Sequence, residues 1–299
     1  MGGHLSVNML TPVEIARAAS ATGLKKSQLP PAKMLTLAVL AGAYIALAGD
    51  LATVVSDDMG KYFGYGFSQF ITGVVFTVGL ALVIVAGAEL FTGNNMMLTV
   101  AALDGKAPWP GVLKAWLVVY AGNFAGSLLV AWLVVQSGQW AANNYLVGAK
   151  AVAWANAKVS LSWQAAFIRG ILCNWMVCLA IWLSLAADDV VNKIAALFLP
   201  IMGFVACGFE HSVANMYFIP VGIVLSQVPE VVAASGLAGK IDNLNWVSMF
   251  TRNLIPVTLG NIVGGAALVG GVYWFAYLKG SSTQAAAPAA TSISKPANR

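Results

Sequence analysis

Charge is the scarcest property of this 299-residue chain. Asp, Glu, Lys and Arg together make up 9% of it, against roughly 25% in ordinary soluble domains. So few charges cannot coat a water-facing globule of this length. Cysteine is nearly absent as well. Cys173, Cys178 and Cys207 all fall inside apolar stretches and form no CxxC pair, so a disulfide framework or thiolate metal site is not expected and the three read as small packing residues. Histidine occurs only at His4 and His211, too few for a metal site, and no cofactor is expected. No Gly-x-Ser-x-Gly nucleophile motif occurs, and the chain is not expected to be an enzyme. Met1–Pro31 lacks a compact apolar core before a small-residue cleavage site, so a secretory signal is not expected there.

What the chain has in abundance is apolar length. Hydrophobic residues make up 59% of it, in runs at Met34–Val55, Phe67–Ala88, Val112–Val135, Leu161–Ala187, Ile194–Cys207 and Leu254–Leu278. Most exceed the ~20 residues that cross a bilayer, which predicts an all-α, polytopic membrane protein. With six spans and both ends in the cytoplasm, the inner pieces hold ten basic residues: Arg17, Lys25, Lys26, Lys33, Lys106, Lys114, Lys193, Lys279, Lys295 and Arg299. The outer loops hold five: Lys61, Lys150, Lys158, Lys240 and Arg252. That bias fits the positive-inside rule. The basic residues therefore report orientation, and no nucleic-acid partner is expected.

Residues 1–32 form a cytoplasmic lead. Thr11–Glu14 (TPVE) reads as a capping box with Pro12 at the first helical position, predicting a short amphipathic helix. Residues 280–299 are low-complexity and predicted to be disordered. The membrane domain is expected at 33–279. Within it, Phe67–Leu103 and Val191–Val228 are too long: about 37 residues of straight helix would run ~55 Å through a ~30 Å hydrocarbon core. Each is therefore expected to be a broken span, interrupted at Glu89–Asn95 and Glu210–Asn215. The interruptions match. GAELFTGN (87–94) and GFEHSVAN (208–215) share Gly-x-Glu-x-x-x-x-Asn, and GNFAG (122–126) and GNIVG (260–264) follow in the same order. Two three-span units, 33–136 and 158–278, are predicted. Three is odd, so the units must lie inverted, as in many transport folds.

A break in the membrane must have its backbone groups satisfied inside the protein. Glu89 and Glu210 occupy equivalent places, and the simpler reading is that each carboxylate accepts hydrogen bonds from loop N–H groups; a proton or cation site is the other. His211 has Leu90 as its counterpart, so the repeat does not require an imidazole, and an intramembrane ionisable group reads first as part of a pathway. Thr92, Asn94, Asn95, Asn174 and Asn215 add neutral donors and acceptors. Lys158 is either a snorkelling lysine or an attractor of anions. Arg169 lies inside the fourth span and either pairs with a loop carbonyl or faces the pore. Trp109, Trp140, Trp154, Trp163, Trp246 and Trp274 read as an interfacial belt, and the glycines of GNFAG and GNIVG as close helix contacts.

GAELFTGNNM, KVSLSWQAAFIRGILCNWMVCLAIW and GFEHSVANM resemble the formate/nitrite transporter family, over roughly residues 10–279. The resemblance implies an aquaporin-like protomer of six spans, two of them broken, in a homopentamer of the inner membrane with one pore per protomer. It implies formate as substrate, with nitrite or hydrosulfide as alternatives, and possible coupling to protons. By the same resemblance the pore histidine falls on His211, its hydroxyl partner on Thr92, the fourth-span asparagine on Asn174 and the vestibule lysine on Lys158. The apolar constrictions fall on Phe76, Leu80, Leu90 and Phe204. Glu89, Glu210, Asn94 and Asn215 are expected to hold the breaks together. A neutral-solute channel for water or glycerol is the rival from another class, but the paired Asn-Pro-Ala loops of water channels are absent.

Overall fold

The computed structural model describes residues 9–280; His4 and the low-complexity tail beyond Gly280 lie outside the described residues. Helix α1, Pro12–Ser27, starts where the TPVE motif predicts: the Thr11 side chain accepts from the Glu14 amide while the Glu14 carboxylate accepts from Thr11. Next come α2 (Pro31–Val55), α3 (Met59–Val85), α4 (Phe91–Leu103) and α5 (Trp109–Ser137). The second half comprises α6 (Leu146–Val159), α7 (Trp163–Leu185), α8 (Val190–Ala206), α9 (Ser212–Leu225) and a short α10 (Pro229–Ser235). The last helix, α11, runs over Trp246–Tyr277.

Five of these helices, α2, α3, α5, α7 and α11, are long and apolar enough to cross a membrane. Helix α8, with 17 residues, is a shorter apolar helix. Helices α4 and α9, with 13 and 14 residues, reach only ~20 Å, less than the hydrocarbon core. Each follows α3 or α8 after a short interruption of the helix. Both predicted broken spans are therefore present, but the chain leaves the helix earlier than the polar stretches suggested, at 86–90 and 207–211. Gly87 (φ 80°) and Gly208 (φ 69°) turn the chain at equivalent points, in the left-handed region that only glycine enters without steric cost. Asn94 and Asn215 already belong to the half-helices that follow.

Within each half, small residues draw two spans together. A Cβ added at Gly126 of α5 would lie 1.9 Å from the Val39 carbonyl oxygen of α2; one at Gly264 of α11 would lie 2.3 Å from that of Ile171 in α7. These are the closing glycines of GNFAG and GNIVG, and no larger residue allows that approach. The halves are not identical. Helix α5 is α-helical to its end at Ser137, whereas α11 widens into π-helix over Met249–Leu254 and Val263–Gly271.

Candidate functional site

The two breaks are closed by asparagines one span away. The Asn123 carbonyl accepts from the Phe91 amide at 2.9 Å, and its NH2 donates to the Ala38 and Glu89 carbonyls at 2.7 and 2.9 Å. Asn261 repeats the set with the Ser212 amide at 2.9 Å and the Gly170 and Glu210 carbonyls at 2.8 and 3.0 Å. The amides of Glu89 and Glu210 donate to Leu37 and Arg169 carbonyls. The loop amides thus go to asparagine and backbone oxygen rather than to the glutamate carboxylates, contrary to the simpler sequence reading. A neutral amide both donates and accepts, so one side chain satisfies an N–H and two carbonyls without placing a charge there.

The carboxylates are held otherwise. Glu89 accepts from Lys26 of α1 at 2.6 Å and from Asn94 at 2.8 Å. Glu210 accepts from Lys158 of α6 at 2.9 Å and from Asn215 at 2.6 Å, with Asn253 adding a bond at 3.1 Å. Both glutamates are buried. Helices α1 and α6 are therefore counterparts, each bringing one lysine to the break in its own half.

A cavity of about 300 Å3 lies at each break. The one on the α6 side is lined by Lys158, Arg169, Phe76, Phe204, Glu210 and His211 among others. The one on the α1 side is lined by Lys26, Glu89, Leu90, Gly93, Asn94 and Lys193 among others. Thr92 and Leu80 line neither. Between the cavity floors the Thr92 hydroxyl lies 3.1 Å from His211 Nε2. The flanking layer is apolar: Phe76 and Phe204 meet edge to face with centroids 5.9 Å apart, Phe204 stacks on the His211 ring at 6.0 Å, and Leu80 and Leu90 are each 2% exposed.

Local geometry fixes the tautomer of His211. It caps α9, its Nδ1 accepting from the Ala214 amide at 3.1 Å. A backbone N–H can only donate, so Nδ1 presents its lone pair and the ring proton is on Nε2, directed at Thr92 Oγ1. That leaves the threonine's own hydroxyl hydrogen free to serve a ligand. Among the described residues, the amides of Thr92, Gly93 and Val213 have no protein acceptor, so both half-helices present N-terminal donors toward the centre.

Asn174 lies beside this centre. Its NH2 donates to the Asn261 carbonyl at 2.6 Å and the Thr92 carbonyl at 3.2 Å, and lies 3.3 Å from Asn95 Oδ1. It fixes the backbone under Thr92 and does not line either cavity. Gly42 takes its place in the first half, against the Asn123 carbonyl. There the larger residue is Ser127, whose single hydroxyl hydrogen lies between the Gly42 and Val213 carbonyls at 3.2 and 3.4 Å, and the counterpart of Ser127 is Gly265, which makes room for Asn174. A large residue and a small one have changed places. The sequence reading missed Asn123, Asn261, Asn253 and the buried role of Lys26. The repeated Gly-Asn-x-x-Gly motif was the signal for the first two.

Two inverted halves, each with a span interrupted midway and a half-helix aimed at a shared centre, define a multi-pass membrane protein of the transport class. The family model described as "Formate/nitrite transporter" matches residues 13–275, and the chain belongs to that family. It is 44% identical to a probable formate transporter of Methanothermobacter thermautotrophicus, over 90% of this chain and 97% of that protein. It is 38% identical to the formate channel FocA of Escherichia coli K12, over 91% and 96%. Among solved structures, a pentameric formate channel with formate bound superimposes with a TM-score of 0.75 at 35% identity, covering 83% of this chain and 98% of that one.

Proposed function

We propose that the chain conducts formate through a pore within each protomer, coupled to a proton, in a homopentamer of the inner membrane with both termini in the cytoplasm. The formate channels among its relatives support the substrate, and the pentameric solved relative supports the assembly. The excess of basic residues on the pieces assigned to the cytoplasm supports the orientation. The observation that carries the reading is the Thr92–His211 contact, the polar point between two cavities whose floors are otherwise phenylalanine and leucine.

The physical problem is desolvation. A bare anion in a dry apolar layer costs several kcal/mol even after relaxation. Hydrogen bonds to it repay part of that cost, and those to a charged group are worth about 1.5–3 kcal/mol. Thr92 supplies the hydroxyl hydrogen that His211 leaves free, and His211 Nε2–H polarises that hydroxyl. Asn174 holds the backbone beneath. The remaining cost disappears if the anion takes a proton and crosses Phe76/Phe204 and Leu80/Leu90 as the neutral acid. His211, neutral with its single proton on Nε2, would become imidazolate by donating it. Adding a second proton at Nδ1 would break the Ala214 cap. The proton therefore comes from vestibule water, while Thr92 and His211 hold the anion in place to receive it. Glu89, Glu210, Asn94 and Asn215 keep the breaks in shape, and Lys158 stands at the entrance.

Replacing His211 with Phe in proteoliposomes tests this. With no imidazole to hold the anion for protonation, the variant is expected to lose most of its formate flux, at acid pH above all. Flux unchanged in both rate and pH profile would overturn the reading.

A further inference from the structure

We propose that Arg169, rather than Lys158, supplies the net positive charge of the α6-side cavity and selects there for a planar, two-oxygen monoanion. The inference rests on the transport reading above. The charge balance of the cavity carries it. Lys158 is bridged to the buried Glu210 carboxylate at 2.9 Å, so the pair sums to zero. Arg169 lines the same cavity and, among the described residues, has no carboxylate within salt-bridge distance. Among the described residues its guanidinium makes one hydrogen bond, and a long one, Nη1 to the Gly208 carbonyl at 3.4 Å. That uses one of five N–H donors, and the exposed side chain keeps the others for a ligand. A guanidinium is a planar fork that matches the two oxygens of a carboxylate; an ammonium is a point charge.

The opposite cavity shows that the uncompensated charge is a separate device. There too the lysine at the break is neutralised, Lys26 by Glu89, and a second cation, Lys193, lines the wall with no carboxylate in salt-bridge range among the described residues. Arg169 and Lys193 are not counterparts in the repeat, since Arg169 corresponds to Leu37 of α2. The two-fold scaffold thus supplies two neutral Lys–Glu pairs, and each side adds its free cation from a different helix. Only the α6 side carries a fork.

The test uses the full-length protein in proteoliposomes, with formate and hydrosulfide as probes, at about 0.01 M and about 1 M ionic strength. Arg169→Gln is expected to slow formate entry about threefold to tenfold at low salt, with most of that difference gone at high salt. Arg169→Lys is expected to keep the low-salt rate for hydrosulfide while the formate-to-hydrosulfide ratio falls severalfold. An equal loss at both salt levels would mark a purely structural role. That result, or an unchanged ratio in Arg169→Lys, overturns the proposal. If Arg169→Gln does not fold, the ratio in Arg169→Lys decides alone. Wild-type protein that moves no formate would instead overturn the transport reading.

Discussion

Asn123 and Asn261 make the same three hydrogen bonds in the two halves of the chain, each to one loop amide and two carbonyls, all between 2.7 and 3.0 Å. Replacing either with Ala leaves those groups buried without a partner, at about 1–3 kcal/mol per group. Both variants are expected to lose about 3 kcal/mol or more, seen as a lower melting temperature in detergent. A loss confined to one of them would end the equivalence of the two sites.

Thr92→Val keeps the volume of the side chain and removes its hydroxyl. The loss of one hydrogen bond to an anion, about 1.5–3 kcal/mol, corresponds to a ~10- to 100-fold fall in flux. Thr92→Ser should recover most of it. Formate uptake by reconstituted protein with an unchanged melting temperature is the measurement, and equal rates in Val and wild type would contradict the role.

Lys158 and Glu210 form a largely buried ion pair, with side-chain exposures of 17% and 5%. Removing one partner of a buried pair leaves a charge with no compensation, typically 3–5 kcal/mol, while replacing both with apolar residues is often neutral. Lys158→Met and Glu210→Met are each expected to destabilise by roughly that amount, and the double variant to recover most of it. Thermal melts of the four proteins check the cycle.

The first turn of α1 should be sensitive to acid. The backbone N–H and the hydroxyl of Thr11 donate to the Glu14 carboxylate and hold its pKa below the ordinary 4.5. A group depressed by folding stabilises above its unfolded pKa and ceases to do so as pH falls through the folded value. The turn is therefore expected to fray only as pH drops below 4.5, read as faster hydrogen exchange at residues 12–16. Thr11→Ala should fray at neutral pH as well.

The spans were legible in the sequence because membrane crossing demands long apolar runs, and the breaks because two of those runs are longer than one crossing. The inversion followed from matched motifs and an odd span count. The partners at the breaks were not legible. Phe91 and Asn123 are more than thirty positions apart, and only the folded chain brings them together. In the sequence Lys26 reads as a marker of orientation, yet it reaches back from α1 to a buried carboxylate. The sequence does not show that reach, because α1 is too short and polar to count as a span. The exchange of bulk between Gly42/Ser127 and Asn174/Gly265 was equally hidden: in each half the two members of the contact sit on different helices, far apart in the sequence.

The backbone of this protein is nearly two-fold, but its central chemistry is not, since an imidazole in one half answers a leucine in the other. On the proposed route, an anion entering from the α6 side would meet the aromatic rings and the histidine first, and one entering from the α1 side would meet Leu90. The summit is the same from either side, as it must be in a passive passage, but the order of the layers below it is reversed, so the two entrances differ in what an anion meets while still on its way up.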